Sequence, residues 1–203
     1  MSIRNYEDQM SANDKRQHVF TAAMDVFAQY GFRRTRMADI ADAAGMSRPA
    51  LYLLFENKGD LFRQLAIERQ ALAIEAAIEV LYSEGGLPDR ITGAILAYEQ
   101  IYYEPISASP HGAEFLEVNQ SVAFEDMLAG QARLIEQLAS AIDVAHARDE
   151  IVLPPEAPTA LALTSLMMAA VTGQKRPSVS VEDFRTRVRG VTTLLLRALT
   201  PKG

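Results

Sequence analysis

The stretch "ADIADAAGMSRPALYLLF", residues 38–55, decides how the amino-terminal part of the chain folds. Gly45 stands between two short apolar segments, and glycine ends a helix readily because it adopts the left-handed backbone conformation. Ser47 can cap a following helix, and Pro49 fits the first turn of that helix, where its missing N–H would be unpaired anyway. The stretch therefore predicts two short helices joined by a tight turn.

The second of these helices has two apolar sides. Leu51, Leu54 and Phe55 share one side of a helical wheel, whereas Tyr52 and Leu53 point away from it, together with Pro49. We expect the first side to join a small core, whose predicted members are Met37, Ile40, Ala41, Leu51, Leu54 and Phe55. An apolar and aromatic side that points outward indicates a binding surface.

Flanking signals complete this unit. Residues 11–32 predict a preceding helix, with a capping box at Ser11 and Asp14 and a stop at Gly31. We expect Thr35 to cap the next helix and Asn57 to cap a long fourth helix.

The rest of the chain also has a helical period. Clusters of Pro, Gly and Ser mark the breaks, and the predicted helices are 88–104, 110–119, 123–148, 158–173 and 181–199. The sequence thus predicts an all-α protein of about nine helices. Its amino-terminal three-helix domain spans residues 1–57, with an arm at about 1–11, and a larger helical domain spans residues 58–203.

Composition limits the class of protein. The 203 residues are 49% hydrophobic and 23% charged, which is typical of a globular chain with a sizeable core. Cysteine is absent, which excludes disulfides and thiolate metal sites. The start of the chain lacks the apolar segment of a secretory signal, and the uncharged run 157–174 is diluted by polar residues, so we expect a cytoplasmic protein without a membrane span.

Charge is distributed unevenly. The net charge is −6, but residues 1–58 carry a net +1 and the remainder a net −7. Five cationic residues lie beside the quoted stretch: Arg33, Arg34, Arg36, Arg48 and Lys58. A local basic patch can therefore coexist with an acidic body.

Two helices joined by a short turn, the second with an exposed side, form a helix-turn-helix arrangement. Such a helix is narrow enough to enter the major groove of DNA. There Arg48 would reach guanine or a phosphate, Leu53 a thymine methyl group, and the Tyr52 hydroxyl a phosphate.

The stretch "FTAAMDVFAQYGFRRTRMADIADAAGMSRPALYLLFENKGDLF", residues 20–62, closely resembles the amino-terminal domain of the TetR family of bacterial transcriptional regulators. The features that carry the resemblance are "DVFAQYGF", "TRMADIADAAGMS", "ALYLLF" and "NKGDLF". It covers roughly residues 12–65 and says nothing specific about the remaining three quarters of the chain.

The resemblance implies a ligand-responsive transcriptional regulator that binds a pseudo-palindromic operator as a homodimer. It implies a repressor that a small-molecule effector releases from DNA, with activation left open. The positions that match the family's DNA-contacting residues are Thr35, Arg36, Ser47, Arg48, Pro49, Ala50, Tyr52, Leu53 and Lys58. Lys58 matches a lysine that holds a phosphate, whereas Pro49 and Leu53 depart from the commoner residues of the family.

The second domain contains two further patterns. Aromatic residues, methionines and a few polar groups suit a small-molecule site, and the candidates are Tyr98, Tyr102, Phe115, Met127 and Met167. The last two predicted helices are more apolar than one core-facing stripe requires. A four-helix dimer interface would bury the excess, and its candidates are Leu163, Met167, Ala170, Val188, Val191 and Leu195.

Other classes of function find less support. The chain lacks HExxH, P-loop, GxGxxG and GxSxG motifs, so we predict neither an enzyme nor a cofactor. His111, Glu114 and Glu117 could share one helix side, and Asp143 and His146 form another pair, but neither set is a complete metal site. The rival interpretation is a helical bundle that has a binding function but does not bind DNA, and the acidic body of the chain favours it. A salt-sensitive, sequence-selective interaction with DNA would exclude it.

Overall fold

The structure is a computed structural model that describes residues 11–176, 179–197 and 199, and these residues form ten α-helices. The helices are α1 (Ala12–Tyr30), α2 (Met37–Ala43), α3 (Arg48–Leu54), α4 (Lys58–Leu81), α5 (Leu87–Tyr102), α6 (Glu104–Ala108), α7 (Gly112–Val122), α8 (Phe124–Ala147), α9 (Ala160–Thr172) and α10 (Val181–Leu196). The all-helical prediction is confirmed, and the five-residue α6 is the element that it lacked. Within the described ranges, every helix is too short or too polar to cross a membrane.

The chain packs as two compact units. Of the described residues, the first contains those up to Ala66 together with Ser109–Phe124, and the second contains Ile67–Ala108 and those from Glu125 onward. The predicted division by function, between residues 57 and 58, remains a prediction. By packing, the start of α4 belongs with the amino-terminal helices because Leu61 and Phe62 are buried there.

In the first unit, α1, α2, α3, α7 and the first turns of α4 surround a small core. Of the core residues predicted from the helical period, Leu54 is half-buried and the other five are buried. Aromatic rings extend this core, since Phe62 lies with its ring centroid 5.7 Å from that of Phe27 and 6.4 Å from that of Phe115. Two predicted caps are present: Ser11 and Asp14 form a capping box, and Asn57 accepts a hydrogen bond from the Asp60 amide.

The second unit has a larger apolar core contributed mainly by α4, α5, α8, α9 and α10. One buried amide side chain, Gln70 on α4, crosses this core and donates to the main-chain oxygen of Met127 at 3.0 Å and to the Tyr98 hydroxyl at 3.2 Å. It lies against Gly130 on α8 so closely that a Cβ atom at residue 130 would overlap the Gln70 amide. A side chain at residue 130 would therefore require the Gln70 amide to move.

Candidate functional site

The turn between α2 and α3 sets the direction of α3. Gly45 has φ of +65°, which is the left-handed region that glycine favours, and nothing lies within 4 Å of a Cβ built on it. Conformation, rather than lack of space, therefore selects glycine here. The Met46 amide donates to the Ala41 carbonyl at 2.9 Å, and the Ala50 amide donates to the Ser47 hydroxyl at 3.3 Å. These bonds end α2 and begin α3, as the sequence predicted.

Helix α3 presents one side to the core and another to solvent. Leu51 is fully buried, whereas Tyr52 is 53% exposed and Leu53 is 87% exposed. Ser47, Arg48 and Pro49 are also exposed, and Ala50 is half-buried. The structure thus brings six of the predicted DNA-contacting side chains together along one short helix and its cap.

Two of the predicted contact residues precede α2, and the structure gives them different surroundings. Arg36 is exposed and is the N-cap residue, with its amide donating to the Asp39 carboxylate at 2.7 Å. Thr35 is 2% exposed, and its hydroxyl donates to the Gly31 carbonyl at 2.7 Å. The prediction that Thr35 caps α2 is therefore wrong, because its hydroxyl is used by the preceding turn. This burial also keeps the Thr35 side chain away from solvent.

Lys58 begins α4, and its ammonium group faces the turn before α2 instead of standing free. Its Nζ donates to the carbonyls of Phe32 and Thr35, each at 2.6 Å, and more weakly to that of Arg33 at 3.4 Å. The same nitrogen lies 4.4 Å from the centroid of the Phe32 ring. Partial burial lowers the pKa of Lys58, while the nearby carboxylates of Glu114 and Asp39 oppose that shift. The structure therefore gives Lys58 a role in fixing the turn, and a phosphate contact remains a prediction.

Helix α7 supplies contacts to the same turn that the sequence did not suggest. The Arg33 amide donates to the Glu114 carboxylate at 2.6 Å, and the Arg33 guanidinium donates to Glu117 at 2.7 Å. A Cβ at Gly31, where φ is +80°, would lie 2.5 Å from a Glu114 oxygen. Both carboxylates that had been considered as metal ligands are therefore partners of Arg33. No short-range signal could have found this, since α7 is distant from the turn in sequence.

The predicted small-molecule residues fall in different surroundings. The rings of Tyr98 and Tyr102 lie 5.3 Å apart between centroids, and the Tyr102 hydroxyl donates to the Met127 sulfur at 2.9 Å. Phe115 belongs to the first unit, where it packs against Phe62, and Met167 is fully buried in the core of the second unit. Three of the five predicted residues thus form one cluster.

A buried ion pair lies beside this cluster. Glu99 on α5 is 0% exposed, and the Lys175 ammonium approaches one of its oxygens at 2.9 Å. Burial raises the pKa of Glu99, and the charge of Lys175 opposes this shift. Burial likewise raises the pKa of Tyr102 to about 12. The sequence contained one signal for Glu99, an acidic residue within the apolar period of α5.

Three of the six predicted dimer residues are buried within their own chain. Leu163, Met167 and Val188 are at most 2% exposed, so the prediction that they face a second copy is wrong. Ala170, Val191 and Leu195 are half-buried. The side chains that these helices leave open are different ones, namely Leu161, Leu166 and Leu194, which are 52%, 54% and 70% exposed.

Comparison with known proteins relates one segment of this chain to a known family. Residues 19–65 match the family described as bacterial regulatory proteins, tetR family. The HTH-type transcriptional regulator AcrR of Shigella flexneri is 41% identical over 54 residues, which are 27% of this chain and 25% of that protein. The HTH-type transcriptional regulator RutR of Escherichia coli strain K12 is 31% identical over 124 residues, which are 61% of this chain and 53% of that protein. The chain thus spans between a quarter and about half the length of these curated relatives.

Solved structures extend the similarity of fold over most of the chain. GusR of Salmonella enterica superposes with a TM-score of 0.67 at 21% identity, covering 94% of this chain and 98% of that one. SmeT, the repressor of the Stenotrophomonas maltophilia multidrug efflux pump SmeDEF, superposes with a TM-score of 0.68 at 16% identity, covering 96% and 93%. The family and the named relatives are transcriptional regulators and not enzymes. The helix-turn-helix of residues 19–65 is thus similar to that of the TetR family of bacterial regulatory proteins, and the remainder of the chain shares the fold of solved structures from that family.

Proposed function

We propose that this protein is a transcriptional repressor that binds a pseudo-palindromic DNA operator as a homodimer and is released by a small-molecule effector. The observation that carries the proposal is the outward side of α3, where Arg48, Tyr52 and Leu53 are exposed while Leu51 is fully buried. A single exposed leucine is common in globular proteins, but a helix that enters the major groove uses this combination of a cation, a hydroxyl and an apolar side chain on one outward side.

The roles of the exposed residues follow from their chemistry. Arg48 carries the donors that pair with guanine O6 and N7, and Leu53 can contact a thymine methyl group. Tyr52, Ser47 and Arg36 carry donors suited to phosphate oxygens, which fix the position of the helix on the duplex. We assign Pro49 and Ala50 to close packing against the groove, because neither side chain can donate a hydrogen bond. A contact of Thr35 with the DNA backbone remains a prediction. For Lys58, whose ammonium is engaged by the carbonyls of Phe32 and Thr35, we expect this internal role in place of the predicted phosphate contact.

A second copy is supported by the open leucines of α9 and α10. Leu161, Leu166 and Leu194 are each at least half exposed. Two helices from each copy would bury them in a four-helix interface, with the half-buried Val191 and Leu195 at its edge. Two-fold symmetry of the protein then matches the two-fold symmetry of an operator with two half-sites.

The effector is assigned to the cluster around Tyr98, Tyr102 and Met127. Aromatic rings with a few polar groups suit a small organic molecule. We infer that α4 transmits the effect of the effector to the helix-turn-helix. This helix begins at Lys58, beside the turn before α2, and continues through residue 81 into the second unit. An effector that favours a different spacing of the two recognition helices lowers operator affinity, and operator must weaken effector binding by the same factor.

The test is selection of bound fragments from the source genome, followed by gel-shift titration of the recovered sequence. We expect a pseudo-palindromic site that the full-length protein binds selectively, with an affinity that falls steeply as salt is raised. A reporter placed under that site, read in the cytoplasm of a bacterial host, should fall in activity when the protein is expressed. Equal retention of all duplexes would contradict the proposal, and increased reporter activity would make the protein an activator.

A further inference from the structure

The carboxylate of Glu99 is the most confined charge of the second unit. Its side chain is 0% exposed, and Lys175 Nζ lies 2.9 Å from Oε1. Among the residues that the structure describes, none donates a well-oriented hydrogen bond to Oε1 or to Oε2, although Oε1 is the ion-pair partner of Lys175. A buried carboxylate needs donors on both oxygens, because an unmet charged acceptor is costly in an apolar interior. The hydrogen-bonding capacity of this acceptor is therefore largely unused.

Two aromatic rings complete the surroundings of the Lys175 ammonium. Its Nζ lies 5.4 Å from the ring centroid of Tyr102 and 5.3 Å from that of Tyr103. A cation within about 6 Å of an aromatic centroid is attracted by the ring face. The carboxylate and the two rings together form a binding site for a positive charge, and this site is occupied by Lys175.

Lys175 can leave this place more easily than a residue within a helix. It follows α9 in the turn after Gly173, and its ammonium reaches the pair on a flexible stem of four carbons. The ammonium is strongly hydrated when free, so water compensates much of what it loses on leaving. Glu99, in contrast, is on α5 and remains buried. The pair is thus a fixed anion with an exchangeable cation.

We propose that Glu99 with Tyr102 and Tyr103 is the cation subsite of the effector, and that the effector is an apolar molecule bearing an amidinium or guanidinium group that displaces Lys175. This inference rests on the proposed effector response. A planar cation of this type donates two parallel N–H bonds, one to each carboxylate oxygen, and so gives both buried oxygens a hydrogen-bond donor. Its flat face also stacks on tyrosine. A quaternary ammonium has no N–H and leaves both oxygens without a hydrogen-bond donor.

The neighbouring side chains favour an apolar body on this cation. The Tyr98 ring packs against Tyr102, and the thioether of Met127 accepts the hydrogen bond of the Tyr102 hydroxyl. Methionine adapts its shape to irregular apolar groups. An aromatic or short alkyl substituent on the cation would therefore meet side chains of matching chemistry.

The test is calorimetric titration of the full-length protein with benzamidine and hexylguanidinium. Benzamide is the neutral control, and hexyltrimethylammonium is the cation without N–H donors. We expect both controls to bind at least about tenfold more weakly than their partners, because each lacks the charge-assisted pair of bonds. Glu99→Gln should remove this preference. Lys175→Met should raise the affinity for benzamidine, since it removes the competing internal cation, whereas a merely structural lysine would give no such gain.

Benzamide binding as tightly as benzamidine would overturn the inference, as would unchanged or weaker benzamidine binding by a folded Lys175→Met variant. If that variant fails to fold because Glu99 is left unpaired, the double variant Glu99→Gln with Lys175→Met decides, because it removes both charges. We expect it to fold and to bind benzamidine no better than benzamide, and a retained preference would overturn the inference. Gel shifts on the same preparations separate the two proposals. Selective DNA binding without any cation preference rejects only the cation subsite, whereas cation preference without DNA binding supports the subsite and rejects the regulator.

Discussion

Helix α3 and the pair α9 and α10 all expose leucine, but the side chains around the leucines differ. On α3, Leu53 stands close in sequence to the exposed Arg48 and to the hydroxyl of the half-exposed Tyr52. On α9, Leu161 and Leu166 are exposed on a helix that contains no charged residue along its whole length. The last seven residues of α10, which include Leu194, are uncharged as well.

This difference in the neighbouring side chains indicates different binding partners. A leucine beside a cation can contact a base edge while its neighbour meets the polyanionic backbone. A continuous uncharged face gains nothing from DNA and is depleted in charge as the core of a protein interface is. Exposure alone therefore does not identify a surface, and the residues around the exposed leucine decide between nucleic acid and a second copy of the chain.

The largest effect is expected where the exposed apolar face of α9 and α10 is disrupted. Replacing both Leu166 and Leu194 by Glu would place unpaired carboxylates in the proposed four-helix interface, each costing about 3–5 kcal/mol. Because both copies carry the substitutions, the interface would contain twice as many carboxylates as one chain supplies. We expect sedimentation velocity to show a monomer that is still helical by circular dichroism. Val144→Glu is the matched control, because this half-exposed residue on α8 lies outside that face. A double variant that sediments as the wild type does would assign the leucines to another role.

The next effect separates the two sides of α3. Leu51→Ala removes a fully buried side chain and should lower the free energy of unfolding by about 2–5 kcal/mol. Leu53→Ala, at 87% exposure, should change that free energy by less than about 0.5 kcal/mol but weaken binding to the selected operator. Urea unfolding and gel-shift titration measure the two quantities. Equal destabilisation by both variants would mean that Leu53 is covered, and the comparison with α9 would fail.

Local sequence signals account well for the first unit. The helical period assigned Leu51 and Phe55 to the core and Tyr52 and Leu53 to solvent, and the structure agrees. The cap at Ser47 and the turn at Gly45 are equally local, because each depends on atoms within a few residues. Thr35 shows the limit of such signals. A threonine before a helix is a good cap in general, but here the Gly31 carbonyl competes for its hydroxyl.

Contacts between distant segments could not be predicted in this way. Helix α9 is apolar around its circumference, so its period could not show which leucines face the chain's own core, and Leu163 and Met167 were assigned to the wrong partner. The Glu99 and Lys175 pair, like the bonds from Arg33 to α7, joins residues that only tertiary packing brings together. The exposed side of α3, which we propose binds DNA, was thus readable from one stretch of sequence, whereas the tyrosine cluster proposed for the effector needed the fold.

A smaller effect tests the cation beside Leu53. Arg48→Ala should weaken binding to the selected operator by about 1–3 kcal/mol and relax discrimination at one base position, if Arg48 reads a base. Binding to unrelated duplexes should change little. Arg133→Ala, an exposed arginine on α8, is the matched control for loss of one positive charge. Competition gel shifts with single-base operator variants measure the discrimination. An equal loss of affinity on every sequence would indicate that Arg48 contacts a phosphate. Of the pair Arg48 and Leu53, Leu53 alone would then contact a base.

The smallest effect concerns Lys58, whose ammonium lies against the turn before α2 without facing outward. Lys58→Met keeps the length of the side chain but leaves the carbonyls of Phe32 and Thr35 without their donor, so we expect the free energy of unfolding to fall by about 1–2 kcal/mol. The slope of log affinity against log salt should stay the same, because the ammonium is engaged within the chain. Urea unfolding and gel shifts over a salt series measure both quantities. A slope reduced by about 0.9 with unchanged stability would instead put Lys58 on a phosphate, and the DNA-facing charge of the first unit would then extend from α3 to the start of α4.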